Sequence, residues 1–331
     1  MTWVDELRRR EDTCRRAPSA HNTQPWLLSY AADEVSVHWD PARALPDSDP
    51  TGRDLFLSLG AFVETCLIVA TDAGLPVRAH IAIDEAGHRV ARIVAADTPY
   101  RTRFSARSVE GRRCARGDYQ PGPVPSEAVA EFGAGVRRLS CRRLAMLMTE
   151  ADRRMFGTPA VARELREWLR LSPRHPRYTM DGLTDRALGL SRVESTALAG
   201  ALSPTMYGVT RRLGLPAALA AGSRNLLRYD GSVLVLVGRA STAGHLVEHG
   251  RVLMRLWLAL SERGLAVHPL SQILDCTTTS RTLGALLGLT PDESALAVFR
   301  AGRPRRAPAR SARIPAARVS RRRSSAAEPC G

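Results

Sequence analysis

Two prolines, Pro18 and Pro25, bracket a polar stretch near the start of the 331-residue chain. Each proline fixes its own φ and biases the residue before it away from helix, so the segment is expected to be an irregular loop. The side chains that this leaves free to face a ligand are Ser19, His21, Asn22 and Gln24. Amides and hydroxyls offer both donors and acceptors, which suits the edge of a heteroaromatic ring better than a metal ion.

The composition allows a substantial core. Hydrophobic residues make up 44% of the chain, enough for one large α/β domain or two half-size units. No positively charged start precedes an apolar run, and we expect no stretch of the roughly 20 apolar residues that spans a bilayer. The six cysteines form no CxxC pair, so neither a disulfide framework nor a zinc knuckle is indicated. The sequence therefore predicts a cytoplasmic protein with reduced thiols and no membrane partner.

Much of the net charge of +15 belongs to the end of the chain. Residues 303–331 contain nine arginines and one acidic residue, with almost no large apolar side chains. Such a segment cannot bury enough surface to order itself, so we predict a disordered basic tail. No aromatic residue is interleaved with these arginines, so specific nucleic-acid binding is not predicted. Association with nucleic acid through the tail is a remote alternative.

Arginine is the only strongly basic residue type, because the chain contains no lysine. Schiff-base chemistry and a lysine general base are therefore excluded. Any phosphate bound by this chain must be held by guanidinium groups, backbone amides or a helix terminus.

Apolar periodicity assigns elements to most of the chain. A core helix is predicted to start at residues 51–54 and to end at Gly74, and a second long helix with an apolar stripe follows a buried strand at 232–238. The region 172–229 shows no clean period. Further strands are predicted over 26–30, 35–39, 77–84, 88–97 and 295–301. Further helices are predicted over 4–16, 126–132 and 149–171.

A short arginine cluster is the second candidate for a binding segment. Arg112, Arg113 and Arg116 could direct their guanidinium groups at one phosphate, and Cys114 lies between them. An exposed basic loop is the other interpretation, and composition alone favours it, because short arginine clusters are common in such a sequence. Only partnership with the loop around Asn22 favours the phosphate site.

The segment 245–249, HLVEH, matches the HxxEH signature of some zinc peptidases. We predict no metal site there, because the rest of the helix has the pattern of a core helix and no further ligand is apparent. The chain also lacks a GxSxG nucleophile elbow, a Walker loop and a GxGxxG turn after a strand. Hydrolase, NTPase and dinucleotide-fold functions therefore lack their required motifs.

Three segments together resemble the nitroreductase family of FMN flavoproteins. Residues 18–26, PSAHNTQPW, resemble its PSxxNxQPW motif, and residues 112–116, RRCAR, resemble its RRSxR phosphate motif. Residues 264–272, GLAVHPLSQ, stand where the family has GLGxxPIEG, whose backbone lies against flavin N5. The resemblance covers residues 1–302 and implies FMN as cofactor. The cofactor-binding residues that it implies are Pro18, Ser19, Asn22, Gln24, Arg112, Arg113, Cys114, Arg116, Pro269, Leu270, Ser271 and Gln272.

The resemblance also assigns roles. It implies that Asn22 and Gln24 read the uracil-like edge of the isoalloxazine, and that Arg112, Arg113 and Arg116 hold the phosphate. NADH or NADPH would pass hydride to flavin N5, and a small electron acceptor would collect it. The predicted function is an FMN-dependent oxidoreductase in which no catalytic side chain is required.

The order of the motifs resembles the tandem Acg-like subgroup, in which the asparagine loop precedes the arginines and one chain folds as a pseudo-dimer. The segment 45–50, LPDSDP, adds to this resemblance. It implies an α+β, nitroreductase-like fold with halves at 1–107 and 108–302, each an antiparallel or mixed sheet packed with helices. A single FMN is expected where the halves meet. A monomeric pseudo-dimer and a homodimer of such chains both remain open.

A covered flavin is the alternative to an active reductase. Ser271 and Gln272 replace the family's Glu-Gly near N5, and residues 172–229 are long enough to fold over the ring as a lid. A covered flavin would be stored or sensed, with little reductase turnover, as in a stress-related protein. The resemblance further implies that Arg310 or Arg313 reaches back to the phosphate.

Overall fold

A computed structural model describes residues 2–318 and 321–322. The α-helices are α1 (Trp3–Arg9), α2 (Glu11–Cys14), α3 (Arg53–Asp72), α4 (Ala106–Gly111), α5 (Cys141–Gly157), α6 (Pro159–Trp168), α7 (Asp185–Leu188), α8 (Arg192–Ala201), α9 (Tyr207–Arg212), α10 (Leu215–Asn225), α11 (Ala243–Glu262), α12 (Gln272–Asp275) and α13 (Thr277–Leu287). The strands are β1 (Trp26–Tyr30), β2 (Glu34–Trp39), β3 (Val77–Asp84), β4 (Arg89–Ala95), β5 (Val136–Ser140), β6 (Leu169–Arg170), β7 (Leu183–Thr184), β8 (Ser232–Gly238), β9 (Ala266–Pro269), β10 (Ser294–Gly302) and β11 (Arg321–Arg322).

The first half of the chain, with β11 of the tail, packs one sheet against one long helix. The strand order is β11-β1-β2-β4-β3, and every pair is antiparallel except the parallel contact of β11 with β1. The ring of Phe62 in α3 stacks on Trp26 of β1 with 4.6 Å between centroids, and both side chains are fully buried. Because burying a side chain the size of phenylalanine contributes about 1.5–3 kcal/mol, this stack fixes α3 on the sheet.

The second half forms an antiparallel sheet in the order β5-β8-β10-β9, with helices on both faces. Val233, Val235 and Val237 of β8 pack with α5, α12 and α13. Leu234 and Leu236 point the other way and pack with α11. The strand is therefore apolar along its length, as expected where both faces of a sheet are covered.

The two halves meet where α3 crosses α11. A Cβ on Gly60 would overlap the carbonyl oxygen of Val247, and a Cβ on Gly250 would overlap that of Leu57. Gly60 thus faces the residue three positions before Gly250, and Gly250 faces the residue three positions before Gly60. A contact across a two-fold axis is reciprocal in this way. Only residues without a side chain let the two helix backbones approach this closely.

The same turn follows both crossing helices. Gly74 and Gly264 both adopt a φ of 70°, and the next residue, Leu75 or Leu265, donates its N–H back to the last helical turn. These glycines stand the same distance apart along the chain as the two crossing glycines. The chain therefore contains two copies of a helix-turn unit. The boundary between the halves at residue 107 stays a prediction.

Within the described residues, α3 is long and apolar enough to cross a membrane by length and composition. Its mean hydropathy reaches 1.7, and 78% of that stretch is buried inside the fold. The expectation that no such stretch exists is therefore wrong for Arg53–Asp72. Because the helix lies between the first sheet and α11, its composition is that of a core helix.

The α+β class is confirmed by two largely antiparallel sheets packed with helices. The helix predicted over 4–16 breaks at Arg10, whose φ of −97° and ψ of 7° lie outside the helical region. The break allows Glu11 to accept a hydrogen bond from the Tyr30 hydroxyl at 2.8 Å. The segment predicted as helical over 126–132 consists of two 3₁₀ turns instead.

The helix predicted over 149–171 begins earlier, at Cys141, and is interrupted before Pro159. Proline has no N–H with which to continue the helical ladder, so it starts a new helix instead. The region 172–229, which has no clean period in the sequence, contains the four short helices α7 to α10. Short helices bury too few residues to produce a visible apolar stripe.

The tail departs most from the prediction. Residues 303–318, predicted to be disordered, run back to the first half of the chain: Ile314 is buried and donates its N–H to Gln24 Oε1 at 2.9 Å. The N–H of Ala316 bonds the Asp12 carboxylate at 3.0 Å. Composition suggested disorder because the tail has few apolar residues of its own, whereas polar groups of the first half satisfy its backbone. Further along the tail, β11 pairs with β1, and residues 319–320 and 323–331 lie outside the described residues.

Candidate functional site

One cavity of about 460 Å³ is lined by residues of both halves. Small-molecule sites typically enclose about 300–1,000 Å³, so the cavity has room for an organic ligand. The residues implied by the resemblance that line it are Pro18, Ser19, Asn22, Arg112, Cys114, Arg116, Pro269, Ser271 and Gln272. Those that lie outside its lining are Gln24, Arg113 and Leu270. Three segments far apart in sequence thus converge on one space.

The polar loop has an unusual backbone. His21, Asn22 and Gln24 have φ angles of 46°, 58° and 54°, in the left-handed region that non-glycine residues rarely adopt. Ser19 Oγ accepts the N–H of Gln24 at 2.9 Å and closes the loop. Backbone strain of this kind persists only where the surroundings fix it, and it clusters at ligand sites.

The two amides of the loop are engaged with other parts of the chain. Asn22 donates its Nδ2–H groups to the carbonyls of Gly182 at 3.1 Å and Ala312 at 3.2 Å. Gln24 donates to the carbonyl of Met180 at 2.9 Å. These bonds attach both the predicted lid and the tail to the loop. The role of these amides at a ring edge stays a prediction.

The arginine cluster divides between the cavity and the surface of the fold. Arg112 is buried, donates to the carbonyl of Arg16 at 3.1 Å and lies 3.5 Å from Cys114 Sγ. Arg116 lines the same cavity. Arg113 bends back to nearby backbone carbonyls instead, including that of Arg112 at 2.9 Å. The structure therefore brings two of the three arginines to the cavity.

The segment after α11 reaches the cavity at the end of β9. The residues of this segment that line the cavity are His268, Pro269, Ser271 and Gln272. Leu270 turns instead into the core of the second half. Gln272 donates to Asp152 Oδ1 at 3.1 Å, and burial raises the pKa of Asp152 to about 6. Gln272 is thereby held by a carboxyl group of α5.

His21 lines the cavity although the family motif assigns it no role. Its Nδ1 is buried and has no hydrogen-bond partner among the described residues. Burial lowers the pKa of His21 to about 4; the Arg116 charge also lowers it, and Asp54 opposes them. The imidazole is therefore neutral at physiological pH.

We expect His21 to make folding stability depend on pH. Its folded pKa of about 4 lies below the ordinary value of 6.5, so the unfolded chain binds more protons between these pH values. The free energy of unfolding contributed by this group therefore falls as pH drops from 6.5 to 4, by at most about 1.4 kcal/mol per pH unit. Urea unfolding of the native chain and of His21→Asn measures this difference, since asparagine tolerates positive φ. A difference that does not change between pH 4 and 6.5 would contradict it.

Carboxyl groups also face the cavity near the start of α3. Arg53 pairs with Asp54 at 2.8 Å and with Asp275 at 2.7 Å. Asp49 accepts the N–H of Leu55 at 2.9 Å, and its other oxygen has no partner in the described part of the chain. Burial raises the pKa of Asp49, and likewise that of Asp275, to about 7. The cavity thus presents carboxyl groups as well as arginines.

The region predicted as a lid forms part of the cavity wall. Its lining residues are Gly182, Leu183, Ala187, Leu188, Leu198 and Leu202. Asp181 anchors this wall: it is fully buried and pairs with Arg43 at 3.2 Å, Arg170 at 3.0 Å and Arg177. Burial acts to raise the pKa of Asp181, but hydrogen bonds from Arg177 and Arg170 hold it below its usual value. The anchor is therefore ionised at neutral pH.

The tail adds one arginine to the site. Arg313 lines the cavity and donates to the carbonyl of Arg16 at 3.1 Å and to Asn22 Oδ1 at 2.8 Å. Burial, and then the charge of Arg16, lower the pKa of Arg313 well below its usual value. Arg310 pairs with Glu110 instead. A buried cluster of like charges is costly without an anion, so this corner is suited to bind one.

Several buried polar atoms in the lining have no hydrogen-bond partner among the residues described. They are His21 Nδ1, Ser48 Oγ, Asp49 Oδ1, Arg112 Nε and Trp257 Nε1. An unpaired buried polar group costs about 1–3 kcal/mol, and most proteins leave few of them. Their concentration around one cavity indicates a polar ligand.

The described residues contain no group of three or more His, Cys, Asp or Glu side chains that could hold a metal ion. In the HxxEH segment, His245 lies 3.1 Å from Ser241 Oγ and His249 Nε2 lies 2.9 Å from the carbonyl of Arg239. Both histidines thus have local partners at the start of α11.

Sequence comparison relates the chain to proteins with nitroreductase names. It is 25% identical to the probable NAD(P)H nitroreductase PigM of Serratia sp. (strain ATCC 39006) over 324 residues, covering 87% of this chain and 86% of that protein. It is 37% identical to the putative NAD(P)H nitroreductase Rv3131 of Mycobacterium tuberculosis over 59 residues, which is 18% of this chain and 17% of that protein. No protein-family profile matches the chain. These relatives support the resemblance to the nitroreductase family.

Two solved structures with partial similarity are also nitroreductases. The FMN-dependent nitroreductase NfnB from Mycobacterium smegmatis, in complex with NADPH, is 19% identical and covers 60% of this chain and 86% of its own, with a TM-score of 0.34. The FMN and NADPH-dependent nitroreductase NfnB from sphigopyxis sp. strain HMH is 17% identical. The match covers 65% of this chain and 96% of that protein, with a TM-score of 0.37. Both TM-scores are too low to define a shared fold.

Proposed function

We propose that this chain is an FMN-binding flavoprotein of the nitroreductase family. The observation that carries the proposal is the convergence on one cavity of three segments distant in sequence, 18–22, 112–116 and 268–272. The family resemblance assigns each of these segments to a different part of the same cofactor. The alignment with PigM, which spans 87% of this chain, supports the same family.

The residues present fit this cofactor. Arg112, Arg116 and Arg313 give the cavity the fixed positive groups that a phosphate needs in a chain without lysine. Buried polar atoms without partners match the donors and acceptors of a ribityl chain and a heteroaromatic ring. FMN, when bound, supplies hydride and electron transfer. The protein's own residues bind it, orient it and exclude water.

We expect Arg116, which lines the cavity, and Arg113, which does not, to differ sharply in a binding test. Arg116→Gln removes a charged donor from the cavity and should weaken FMN binding about 10- to 100-fold, because a hydrogen bond to a charged group is worth about 1.5–3 kcal/mol. Arg113→Gln is the matched control, since Arg113 lies outside the lining and should change the dissociation constant little. Quenching of flavin fluorescence measures both. Equal losses in the two variants would contradict the assignment.

We also propose that the chain is a tandem of the Acg-like type, in which one chain forms a pseudo-dimer. The reciprocal contacts of Gly60 and Gly250 support this arrangement, because a two-fold contact between equivalent helices repeats itself in that way. The repeated turns at Gly74 and Gly264 support it independently. In such a chain the first half supplies the polar loop and the second supplies the arginines, so one cavity needs both.

The reaction proposed for the bound cofactor is reduction by NADH or NADPH followed by electron transfer to a small acceptor. No side chain is required as an acid or base. A second candidate function is favoured by the buried anchor at Asp181 and by the bond from Asn22 to Gly182, which fasten the predicted lid over the cavity. A fastened lid would sequester the flavin with little turnover.

Rapid mixing of the purified, flavin-loaded protein with NADH and with NADPH separates the two functions. Bleaching of the flavin absorbance within seconds supports the oxidoreductase. A flavin that resists both nucleotides but bleaches with dithionite supports sequestration. A protein that takes up no FMN from solution would contradict both.

A further inference from the structure

Arg300 is a buried cation at the centre of the second half. It lies in β10 and is 1% exposed. Its guanidinium donates to the carbonyl of Leu226 at 2.9 Å and to that of Arg116 at 3.0 Å, and its carbon lies 4.4 Å from the ring centre of Tyr119. Burying a guanidinium on neutral partners is costly, so this position is expected to serve the site.

The Nε donor of Arg300 fixes the state of a histidine. Arg300 Nε lies 3.1 Å from Nδ1 of His268. Arginine Nε always carries a proton and can only donate, so Nδ1 must accept with its lone pair. The proton of the neutral imidazole is therefore on Nε2.

The same surroundings keep this imidazole neutral. Burial, together with the charges of Arg300 and Arg116, lowers the pKa of His268 well below its ordinary value. His268 also lines the cavity, directly before Pro269. With Nδ1 occupied by Arg300, the polar atom that the ring can offer to a ligand is the Nε2–H donor.

We propose that His268 donates its Nε2–H to an uncharged acceptor atom on the ring of the bound flavin, and that Arg300 is the residue that positions it. A neutral donor suits an uncharged heteroaromatic acceptor, whereas the phosphate is matched by the arginines of the cavity. Arg300 also holds the carbonyls of Arg116 and Gly117, so one side chain orients both the ring donor and the phosphate segment. The inference rests on the proposed function for the identity of the ligand.

The first test measures the tautomer in flavin-free protein labelled with ¹⁵N-histidine. We expect one histidine, identified by its absence in His268→Gln, to keep the Nε2–H form from pH 5 to 8. Arg300→Met removes the donor to Nδ1, and that signal should then show exchange between tautomers. His245→Gln is the control, because His245 is exposed and outside the lining. A His268 that titrates near neutral pH or carries its proton on Nδ1 would overturn the proposal.

The second test uses FMN and riboflavin, which share the ring but differ in the phosphate. His268→Leu should weaken both about 2- to 10-fold, since a net hydrogen bond is worth about 0.5–1.5 kcal/mol. His268→Gln should restore much of the loss, because its amide N–H can reach a similar position. Loss confined to FMN would place the donor at the phosphate and overturn the ring assignment, as would unchanged binding in His268→Leu.

The two tests also separate this inference from the proposed function. If the protein binds neither flavin, both the proposed function and the proposed ring donor are wrong. The tautomer of His268 is measured in flavin-free protein, so that result does not depend on flavin binding. If both flavins bind and the tautomer is wrong, the proposed function stands and only the inference fails. Both tests can be read from the His268 variants. The proposal therefore stays testable even if Arg300→Met does not fold.

Discussion

Asp181→Asn is expected to release the segment proposed as a lid, with a large change in its opening equilibrium. The substitution keeps the shape of the side chain but leaves Arg43, Arg170 and Arg177 without their shared counter-charge in a buried setting. Removing one partner of a buried ion pair costs about 3–5 kcal/mol, and the lower end applies here because the Arg177 side chain is 41% exposed. That corresponds to an opening equilibrium shifted on the order of 100-fold.

Hydrogen exchange of the segment 172–190 measures this shift directly. Trypsin cleavage at Arg174 and Arg177 gives a second reading, since both lie in the segment that Asp181 anchors. In the flavin-loaded protein, reduction by NADPH should also speed up if the lid covers the cofactor. Asp33→Asn, in the exposed turn between β1 and β2, is the control. Unchanged exchange in Asp181→Asn would show that the lid is held by other contacts.

The ion pairs of Asp181 with the three arginines also predict how the lid segment responds to acid. The folded-state pKa of Asp181 lies below its ordinary value, so its contribution to stability is present at neutral pH and is lost as pH falls through that folded pKa. The lid should therefore open under acid conditions before the core unfolds. In Asp181→Asn this acid-dependent step should be absent.

Gly60→Ala and Gly250→Ala should each destabilise the fold by about 3 kcal/mol or more. Either methyl group would overlap a backbone carbonyl of the facing helix, and a backbone cannot move aside as a flexible side chain does. Overpacking of a core typically costs about 1–3 kcal/mol, and the rigid neighbours here favour the upper end. The urea midpoint of unfolding measures this loss.

The double variant distinguishes a shared crossing from two separate contacts. One small separation of α3 and α11 could relieve both overlaps. In that case the double variant should lose less stability than the sum of the losses in Gly60→Ala and Gly250→Ala. Gly222→Ala is the matched control, because its added Cβ would meet nothing within 4 Å in α10. It should stabilise by up to about 1 kcal/mol through helix propensity. Single variants with unchanged midpoints would contradict the close crossing and weaken the pseudo-dimer.

The repeated glycines are a sequence signal of the helix crossing, and local apolar periodicity does not reveal it. Gly60 and Gly250 are separated by the same number of residues as Gly74 and Gly264, and a search for internal repeats would have found this spacing. The pattern is faint, because the helices that carry it need only share a close approach and a turn, not their other side chains. The motif order suggested a tandem chain, and the glycine spacing supports that proposal.

Local pattern determined much of this protein. Prolines made the 18–25 segment a loop, apolar runs indicated strands β1 and β8, alternation indicated β3 and β4, and a cluster of arginines marked the 112–116 segment. Each of these depends on neighbours within a few residues, where backbone preference and periodicity act. Local pattern located these elements and two of the segments that meet at the cavity, whereas the α+β class and the segment 264–272 followed from the resemblance to the nitroreductase family.

Only the tertiary structure decided which side chains reach the cavity. Arg113 turns away while Arg116 faces in, Arg313 arrives from a tail whose composition suggested disorder, and Arg300 fixes His268 from another strand. Those outcomes depend on contacts between residues separated by tens to hundreds of positions, and neither propensity nor periodicity carries information over that range. The physical reason is that burial and hydrogen-bond satisfaction are properties of the packed whole, so they choose among side chains that the sequence leaves equivalent.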